Sequence, residues 1–280
     1  MIIKIVTDST ADLPAAIVED LDITVVAEYL RFGDQIYRDQ IDITEDEFYQ
    51  RLINGPIHPK TAQPTPQDFA SVYSPLSRRA DAIISIHLSG KLSGTYSSAV
   101  QGKSMIHTAC QIEVIDSHLV SIALGLVVIQ AAKMAKSGMG LKQIVAKLGQ
   151  IIPNVHMLIL FDTLKYLSKG GRIGKGKALL GALLNVKPLL TVRDGELMPS
   201  GQVRTRSKGT ELLLNFVKNA EDIEDLAVLY STTHDEAQVL VESVSSLWTK
   251  EPVILARLGS ALGVHGGPGV LAIAIRQKGL

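Results

Sequence analysis

SIHLSGKLSGTYSSAV, residues 85–100, reads as the end of a buried strand, a glycine-bearing turn and the start of a helix. Ser93 stands where an N-cap belongs, followed by Gly94, Thr95 and Tyr96. A helix start presents unpaired backbone N–H groups and a partial positive charge, so it suits a carboxylate or a phosphate. The Ser93 and Thr95 hydroxyls would add hydrogen bonds without adding charge. An ordinary capped helix explains the same letters, so the stretch speaks to the fold before it speaks to function.

The pattern repeats on both sides. Residues 2–6 form a short apolar run that ends in the polar loop Thr7-Asp8-Ser9-Thr10. Asp12 is placed to cap a helix reaching about residue 20, with Pro14 tolerated in its first turn. Residues 82–87 and 111–115 read as further strands, each followed by a helix. Strands alternating with helices predict a parallel sheet with helices on its faces. Ligands of such sheets sit beyond the carboxyl ends of the strands, where Asp8, Ser93 and Asp116 fall. In between, residues 23–38 suggest a hairpin or edge strand pair around Phe32-Gly33-Asp34. Thr44 and Glu47 have capping-box spacing. Residues 59–66, PKTAQPTP, read as a rigid loop that places Thr61 just before a helix capped by Thr65, with Pro66 as its first residue.

After about Pro153 the pattern changes. Residues 155–161 read as a strand, 165–173 as a short helix ending at Gly170-Gly171, and 178–184 as a second short apolar helix. Residues 186–192 and 197–203 flank Asp194-Gly195 as a hairpin. A helix over 208–219, a strand over 225–231 and a helix over 234–248 follow. Strands over 253–258 and 269–276 are joined by a glycine-rich loop that holds His265. Arg204 and Arg206, two apart, are expected to share a strand face. The fold class expected is α/β in two domains. Residues 1–153 form a Rossmann-like parallel sheet with helices on both faces, and residues 154–280 an α+β domain with a mixed or antiparallel sheet. Exchange of strands across the boundary stays open.

Composition narrows the function. The chain has 280 residues, 46% hydrophobic and 20% charged, enough for a large core. Lys+Arg and Asp+Glu each number 28, which argues against a nucleic-acid partner and against a polybasic membrane anchor. Cys110 is the single cysteine, so no intrachain disulfide forms and a reducing, cytoplasmic location is expected. The opening MIIKIVTDS does not read as a signal peptide. The longest uncharged apolar stretch, residues 119–132, is shorter than the ~18 residues of a membrane span and reads as a buried helix. Any membrane contact would be transient.

Several short motifs occur in order: residues 7–13 (TDSTADL), 61–66 (TAQPTP), 93–99 (SGTYSSA), 115–117 (IDS), 170–173 (GGRI), 184–188 (LNVKP), 203–206 (VRTR) and 265–269 (HGGPG). In these, along its whole length, the chain resembles the DegV family of bacterial fatty-acid-binding proteins. The resemblance implies a two-domain α/β protein with one fatty acid buried between the domains. It also implies that hydroxyls matching Thr61 and Ser93 hold the carboxyl group, with His265 nearby. In the fatty-acid kinase system such a protein presents its acyl chain to a separate ATP-using kinase subunit, and the bound acyl phosphate feeds phospholipid synthesis. One departure is Ala62, where the family usually has serine, which removes one hydroxyl expected near the head group.

The chemistry is coherent. Burying ~15 methylenes at about 0.8 kcal/mol each offers roughly 12 kcal/mol of gross driving force, part of which ordering of the tail cancels. Neutral hydroxyls and helix-end amides, including those of Gly94 and Thr95, can hold a carboxylate while leaving one oxygen open. His265 can donate a hydrogen bond, its glycine neighbours allowing close approach. Arg172, flanked by Lys165, Lys169, Lys175 and Lys177, can receive a phosphate or an acidic kinase surface, or face solvent. The site residues expected are therefore Thr61, Ser93, Gly94, Thr95, Arg172 and His265, with no catalytic residue and no cofactor beyond the bound acid.

Three rival signals are weaker. Residues 171–178, GRIGKGKA, nearly match a phosphate-binding P-loop, but Ala178 stands where Mg²⁺ needs Ser or Thr and no strand precedes it. Ser93, Asp116 and His265 follow the chain order of an α/β-hydrolase triad, yet the turn lacks the G-x-S-x-G elbow. This serine esterase is the alternative reading. The seven histidines are scattered without metal-ligand spacing.

Overall fold

The computed structural model describes residues 1–179 and 186–279. In its first half the chain runs β1 (Ile3–Asp8), α1 (Ala15–Asp20), β2 (Ile23–Val26), β3 (Tyr29–Phe32), β4 (Gln35–Arg38), α2 (Glu45–Asn54), β5 (Lys60–Ala62), α3 (Pro66–Ser77), β6 (Ala82–His87), α4 (Thr95–Ser104) and β7 (Gln111–Asp116). Helices α5 (Ile122–Lys136) and α6 (Leu141–Ile151) follow. The second half holds β8 (Val155–Leu160), α7 (Lys165–Lys169), β9 (Lys187–Arg193), β10 (Glu196–Val203), α8 (Arg206–Lys218), β11 (Ile223–Tyr230), α9 (His234–Ser245), β12 (Ile254–Arg257), α10 (Ser260–Gly266) and β13 (Leu271–Gln277).

Strands β2-β1-β6-β7 form the expected parallel sheet. Every residue of β6 is buried, as a central parallel strand covered on both faces should be. One face turns Val6 and Ile83 toward Phe69, Tyr73 and Ala99 of α3 and α4. The other turns Ile5, Ile84 and Ile86 toward α5. The second large sheet, in order β10-β9-β8-β13-β11-β12, is mixed: all its pairings are antiparallel except β11 with β12. Its side chains alternate with period two. Met157, Ile159, Ala272 and Ala274 face α5, while Leu158, Leu160, Ile273 and Ile275 pack under α8 and α9.

Helix α5 explains why residues 119–132 are apolar all round. It touches β1 and β6 on one side and β8, β11 and β13 on the other. A helix between two sheets has no solvent face to mark with charge. Both large sheets draw their strands from one side of Pro153, but the apolar core passes through α5 without a break.

A third, small antiparallel sheet, β4-β3-β5, packs with α2 against α10 through Leu30, Phe48, Tyr49 and Val264. Only residues 29–38 form the expected hairpin, because the buried Ile23 and Val26 draw β2 into the parallel sheet. The Thr65 cap is a full capping box with Asp68, with Pro66 in the first turn.

Four local expectations are corrected. Asp12 does not cap α1; Pro14 precedes that helix, and Asp12 closes a 3₁₀ turn at φ 49° with its carboxyl buried. Ser93 is one residue early for a cap: Leu92 and Ser93 donate their N–H groups to Ser89 O in a tight turn, and Gly94 becomes the N-cap of α4. The glycine-rich loop between the last two strands contains α10. Arg206 opens α8, so it shares no strand face with Arg204; its guanidinium reaches Glu236, Asp162 and the Gly269 carbonyl. The apolar helix expected over 178–184 falls, after its first two residues, outside the described residues, as does the start of the 184–188 motif. Residues 174–179 form a 3₁₀ helix after α7, so no strand precedes the P-loop-like letters.

Candidate functional site

Between the carboxyl end of the parallel sheet, the start of α5, the inner face of β8 and helix α10 lies a cavity of about 770 Å³, its open mouth included. The space is a slot between these elements. Its length is apolar, walled by Leu88, Val120, Met157, Ile159, Leu229 and Ala261. One region differs. Thr10, Glu28, Thr61, Ser93, Ser121, Arg172 and His265 also line it, from seven separate segments of the chain.

Each of these side chains has an identifiable support. Thr61 sits on β5, not in a loop, because residues 60–62 pair with β3, with Thr61 opposite Leu30. Alternation along the strand sends Ala62 outward, where it is exposed and does not line the slot. A serine at 62 would therefore point away from the cavity. His265 is carried by α10, whose N-terminus is fixed when the Gly259 N–H donates to buried Asp12 at 2.9 Å. Tyr49 Oη donates to the Leu258 carbonyl at 3.0 Å just before it.

His265 Nε2 and Thr61 Oγ1 are 2.9 Å apart. His265 Nδ1 is buried against the backbone of Gly170 and has no hydrogen-bond partner. A proton on Nδ1 would be buried without an acceptor, so the proton belongs on Nε2, which donates to Thr61. The Thr61 hydroxyl then keeps its own proton for the cavity. Burial, followed by the charge of Arg172 and the nearby His58, lowers the His265 pKa to about 4, so the ring is neutral near pH 7.

Behind Ser93 lies a second chain of groups. Ser93 Oγ is 2.9 Å from Thr95 Oγ1, and Thr95 Oγ1 is 2.5 Å from Glu28 Oε1. Thr95 is buried and does not line the slot; Gly94 packs its backbone on Gln63 and does not line it either. Burial first, then the charge of Asp8, hold Glu28 well above the usual carboxylate range. Asp8 itself accepts from the Leu88 N–H at 3.2 Å and pairs with His87 Nδ1 at 2.8 Å. His87 continues through Ser85 to Tyr73 of α3, a buried polar chain from the sheet to that helix. Arg172 lies over the mouth, its Nε donating to the Leu92 carbonyl at 3.3 Å and its Nη1 to the Gly170 carbonyl at 2.9 Å. No carboxylate among the described residues forms an ion pair with it.

Of the residues expected from the sequence, Thr61, Ser93, Arg172 and His265 thus come together at one end of the slot. Thr10 comes from the TDSTADL motif, and Glu28 joins the site without any sequence signal: it sits in a short connection between two strands and bonds to Thr95, far along the chain. The hydrolase triad does not assemble. Asp116 accepts from the Gly90 and His118 N–H groups, not from His265, and Ser93 bonds to Thr95. Among the described residues no group of three His, Cys, Asp or Glu side chains is placed to hold a metal, and no helix is long and apolar enough to cross a membrane.

Neutral donors, one unpaired guanidinium and an apolar slot describe a site for an amphiphile with an anionic head and an apolar tail. Comparison with known proteins points the same way. A sequence model of the family described as "Uncharacterised protein, DegV family" matches residues 2–278. The chain is 34% identical, over 280 residues and 99% of each chain, to a DegV domain-containing protein of Caldanaerobacter subterraneus subsp. tengcongensis. It is similar to a solved fatty-acid-binding DegV family protein from Thermus thermophilus, with 33% identity, TM-score 0.91, and 99% of this chain and 100% of that one covered. It is also similar to DegV of Bacillus subtilis, described as a fatty acid binding protein, with 30% identity, TM-score 0.89, and 99% and 100% covered.

Proposed function

This chain belongs to the DegV family, and from that premise we propose that it binds one long-chain fatty acid, the tail in the slot and the carboxylate at the Thr61–Ser93–His265 end. The observation that carries this reading is the coincidence, at one end of an apolar slot, of the Thr61 and Ser93 hydroxyls and a neutral imidazole. A slot lined by Met157, Ile159 and Val120 has no use for a polar tail. The fatty-acid-binding relatives of closely similar fold support the same ligand class.

The head group is held by neutral groups, not by a buried ion pair, so one carboxylate oxygen stays reachable. We therefore also propose a non-catalytic role in the cytoplasm: the protein presents the acyl carboxylate to a separate ATP-using fatty-acid kinase, and the acyl phosphate leaves for phospholipid synthesis. Arg172 at the mouth suits a phosphorylated head group better than a buried lysine would, because its planar fork matches phosphate oxygens. We further propose a division into domains at 1–153 and 154–280, with the ligand between the two.

The test is calorimetric titration of delipidated protein with oleate, and with oleyl alcohol, which keeps the tail and lacks the charge. Saturable oleate binding with the alcohol at least tenfold weaker supports the reading. Equal affinities would show that Thr61, Ser93 and His265 do not read the head group. Binding of neither, together with turnover of acyl esters and labelling of Ser93 by a fluorophosphonate, would favour the esterase reading.

A further inference from the structure

The chain Glu28–Thr95–Ser93 has a direction, and proton counting fixes which direction an anion requires. A hydroxyl has one proton to donate. Were Glu28 ionised, Thr95 would have to spend its proton on Glu28, and Ser93 would have to spend its own on Thr95. Ser93 would then meet the head group with lone pairs only, which repel a carboxylate. The geometry offers one alternative. Glu28 Oε1 and Thr95 Oγ1 are 2.5 Å apart, and Thr95 Oγ1 and Ser93 Oγ 2.9 Å apart, distances that serve a donor at either end.

We propose that Glu28 is a positioning residue kept as a neutral carboxylic acid, which donates to Thr95, which donates to Ser93, so that the Ser93 hydroxyl is turned to donate into the cavity. The ligand is an acyl carboxylate, and its binding carries a proton requirement on Glu28. This rests on the fatty-acid reading above and names a regulator of that same site.

The surroundings keep Glu28 neutral. It is 3% exposed, yet it reaches the head-group end of the slot. The groups that face it are Asp8 at the end of β1, Asp39 after β4 and Arg172 after α7. Both carboxyls disfavour a charge on Glu28, and Arg172 favours it; burial and Asp8 outweigh the guanidinium, so its pKa is raised. An incoming carboxylate adds a further negative charge and strengthens the preference. His265, also lining the slot, is neutral and delivers its proton to Thr61 in a matching relay. Two relays thus aim two donors at one anion with no buried full charge from either support.

The experiment has two arms. The first needs no ligand: difference infrared spectra of wild type against Glu28→Gln near pH 7 should show the C=O band of a protonated carboxylic acid, absent from the variant. The second measures the oleate Kd from about pH 7 to about pH 10. Once Glu28 ionises, wild-type affinity should fall by up to about tenfold per pH unit. Glu28→Gln, whose amide donates to Thr95 at every pH, should bind with an affinity that stays level. Thr95→Val, which cuts the relay, should bind several-fold more weakly than wild type with the pH dependence gone, and it serves if Glu28→Gln does not fold. A carboxylate band in place of the acid band would overturn the proposal. So would superimposable pH profiles for wild type and variants, or loss of oleate binding in a folded Glu28→Gln. Failure of wild type to bind oleate at any pH would instead overturn the fatty-acid reading, while the infrared arm would still decide the state of Glu28.

Discussion

Gly170→Ala tests the head-group geometry from the side of the chain that no ligand touches. Gly170 ends α7 at φ −77°, a conformation alanine adopts without strain. The obstacle is His265. A Cβ on residue 170 would lie 2.8 Å from Cε1 and 3.2 Å from Cγ of the imidazole, and closer still to Nδ1. Non-bonded atoms settle ~3.5–4.0 Å apart, so the ring must retreat by about 1 Å or more. The 2.9 Å bond from Nε2 to Thr61 cannot survive that shift. With the relay broken, Thr61 loses its orientation. The affinity for oleate should fall by the worth of one hydrogen bond to a charged group, about 1.5–3 kcal/mol, or roughly 10- to 150-fold in Kd. Overpacking should lower stability by about 1–3 kcal/mol. The control is Gly171→Ala next door. Gly171 has φ 71° and nothing within 4 Å of a built Cβ, so alanine there costs about 1–2 kcal/mol of backbone strain and leaves His265 alone. Calorimetric titration and thermal melts of both variants separate the effects. If Gly170→Ala binds oleate like wild type, or if Gly171→Ala weakens binding as much, the His265–Thr61 relay has no part in holding the ligand.

Thr61→Val and Ser93→Ala should each raise the oleate Kd by roughly tenfold or more, with melting temperature changed by only a few degrees, because neither side chain joins the apolar core; unchanged affinities in both would place the carboxylate elsewhere. Ala261→Leu should fill the slot and abolish oleate uptake while leaving the melting temperature unchanged or higher, as read by displacement of a fluorescent fatty acid; normal uptake would mean that the tail takes another path. Asp39→Asn tests the burial of the groups around α10. Burial raises Asp39 to about 6 from 3.8; Ser9, Ser260 and the Ala261 N–H face it and moderate the shift, yet neither of its oxygens reaches hydrogen-bond geometry. An acid with a raised pKa is fully stabilising below its unfolded value and loses that contribution as pH rises through its folded value. Asparagine should therefore stabilise the protein at about pH 8 relative to about pH 4 by at most about 3 kcal/mol; a stability difference independent of pH would contradict it.

The architecture was legible wherever local pattern and burial agree. The parallel sheet follows from strand–turn–helix punctuation, and α5 from an apolar stretch too long for a strand and too short for a membrane span. The capping box at Thr65 and Asp68 is written in adjacent letters. What escaped depends on distant partners. Helix α10 has a sequence that reads as a loop, since it begins after Gly259 and includes Gly263 and Gly266; it is helical because Asp12 holds its first N–H and because Gly263 lets it lie against Phe48 and Tyr49. Thr61 reads as loop because prolines flank it at Pro59 and Pro64, and the pairing with β3 that makes it a strand is invisible locally. Ser93 misses the cap by one position because the turn closes on Ser89. The gathering of Thr61, Ser93 and His265 was implied by resemblance, not by spacing, and Arg172 was read from the basic loop after a glycine pair. Glu28 had no signal at all: a glutamate after a short strand is ordinarily solvated, and only Thr95 and Asp8 show that this one is not.

The central claim is that the slot is built for an acyl chain. Its most direct test is native mass spectrometry of protein purified from bacteria, with the bound lipid extracted and identified. The account predicts one long-chain fatty acid per chain, lost on delipidation and regained on adding oleate or palmitate. Protein that emerges empty, and stays empty when either acid is added, would contradict it.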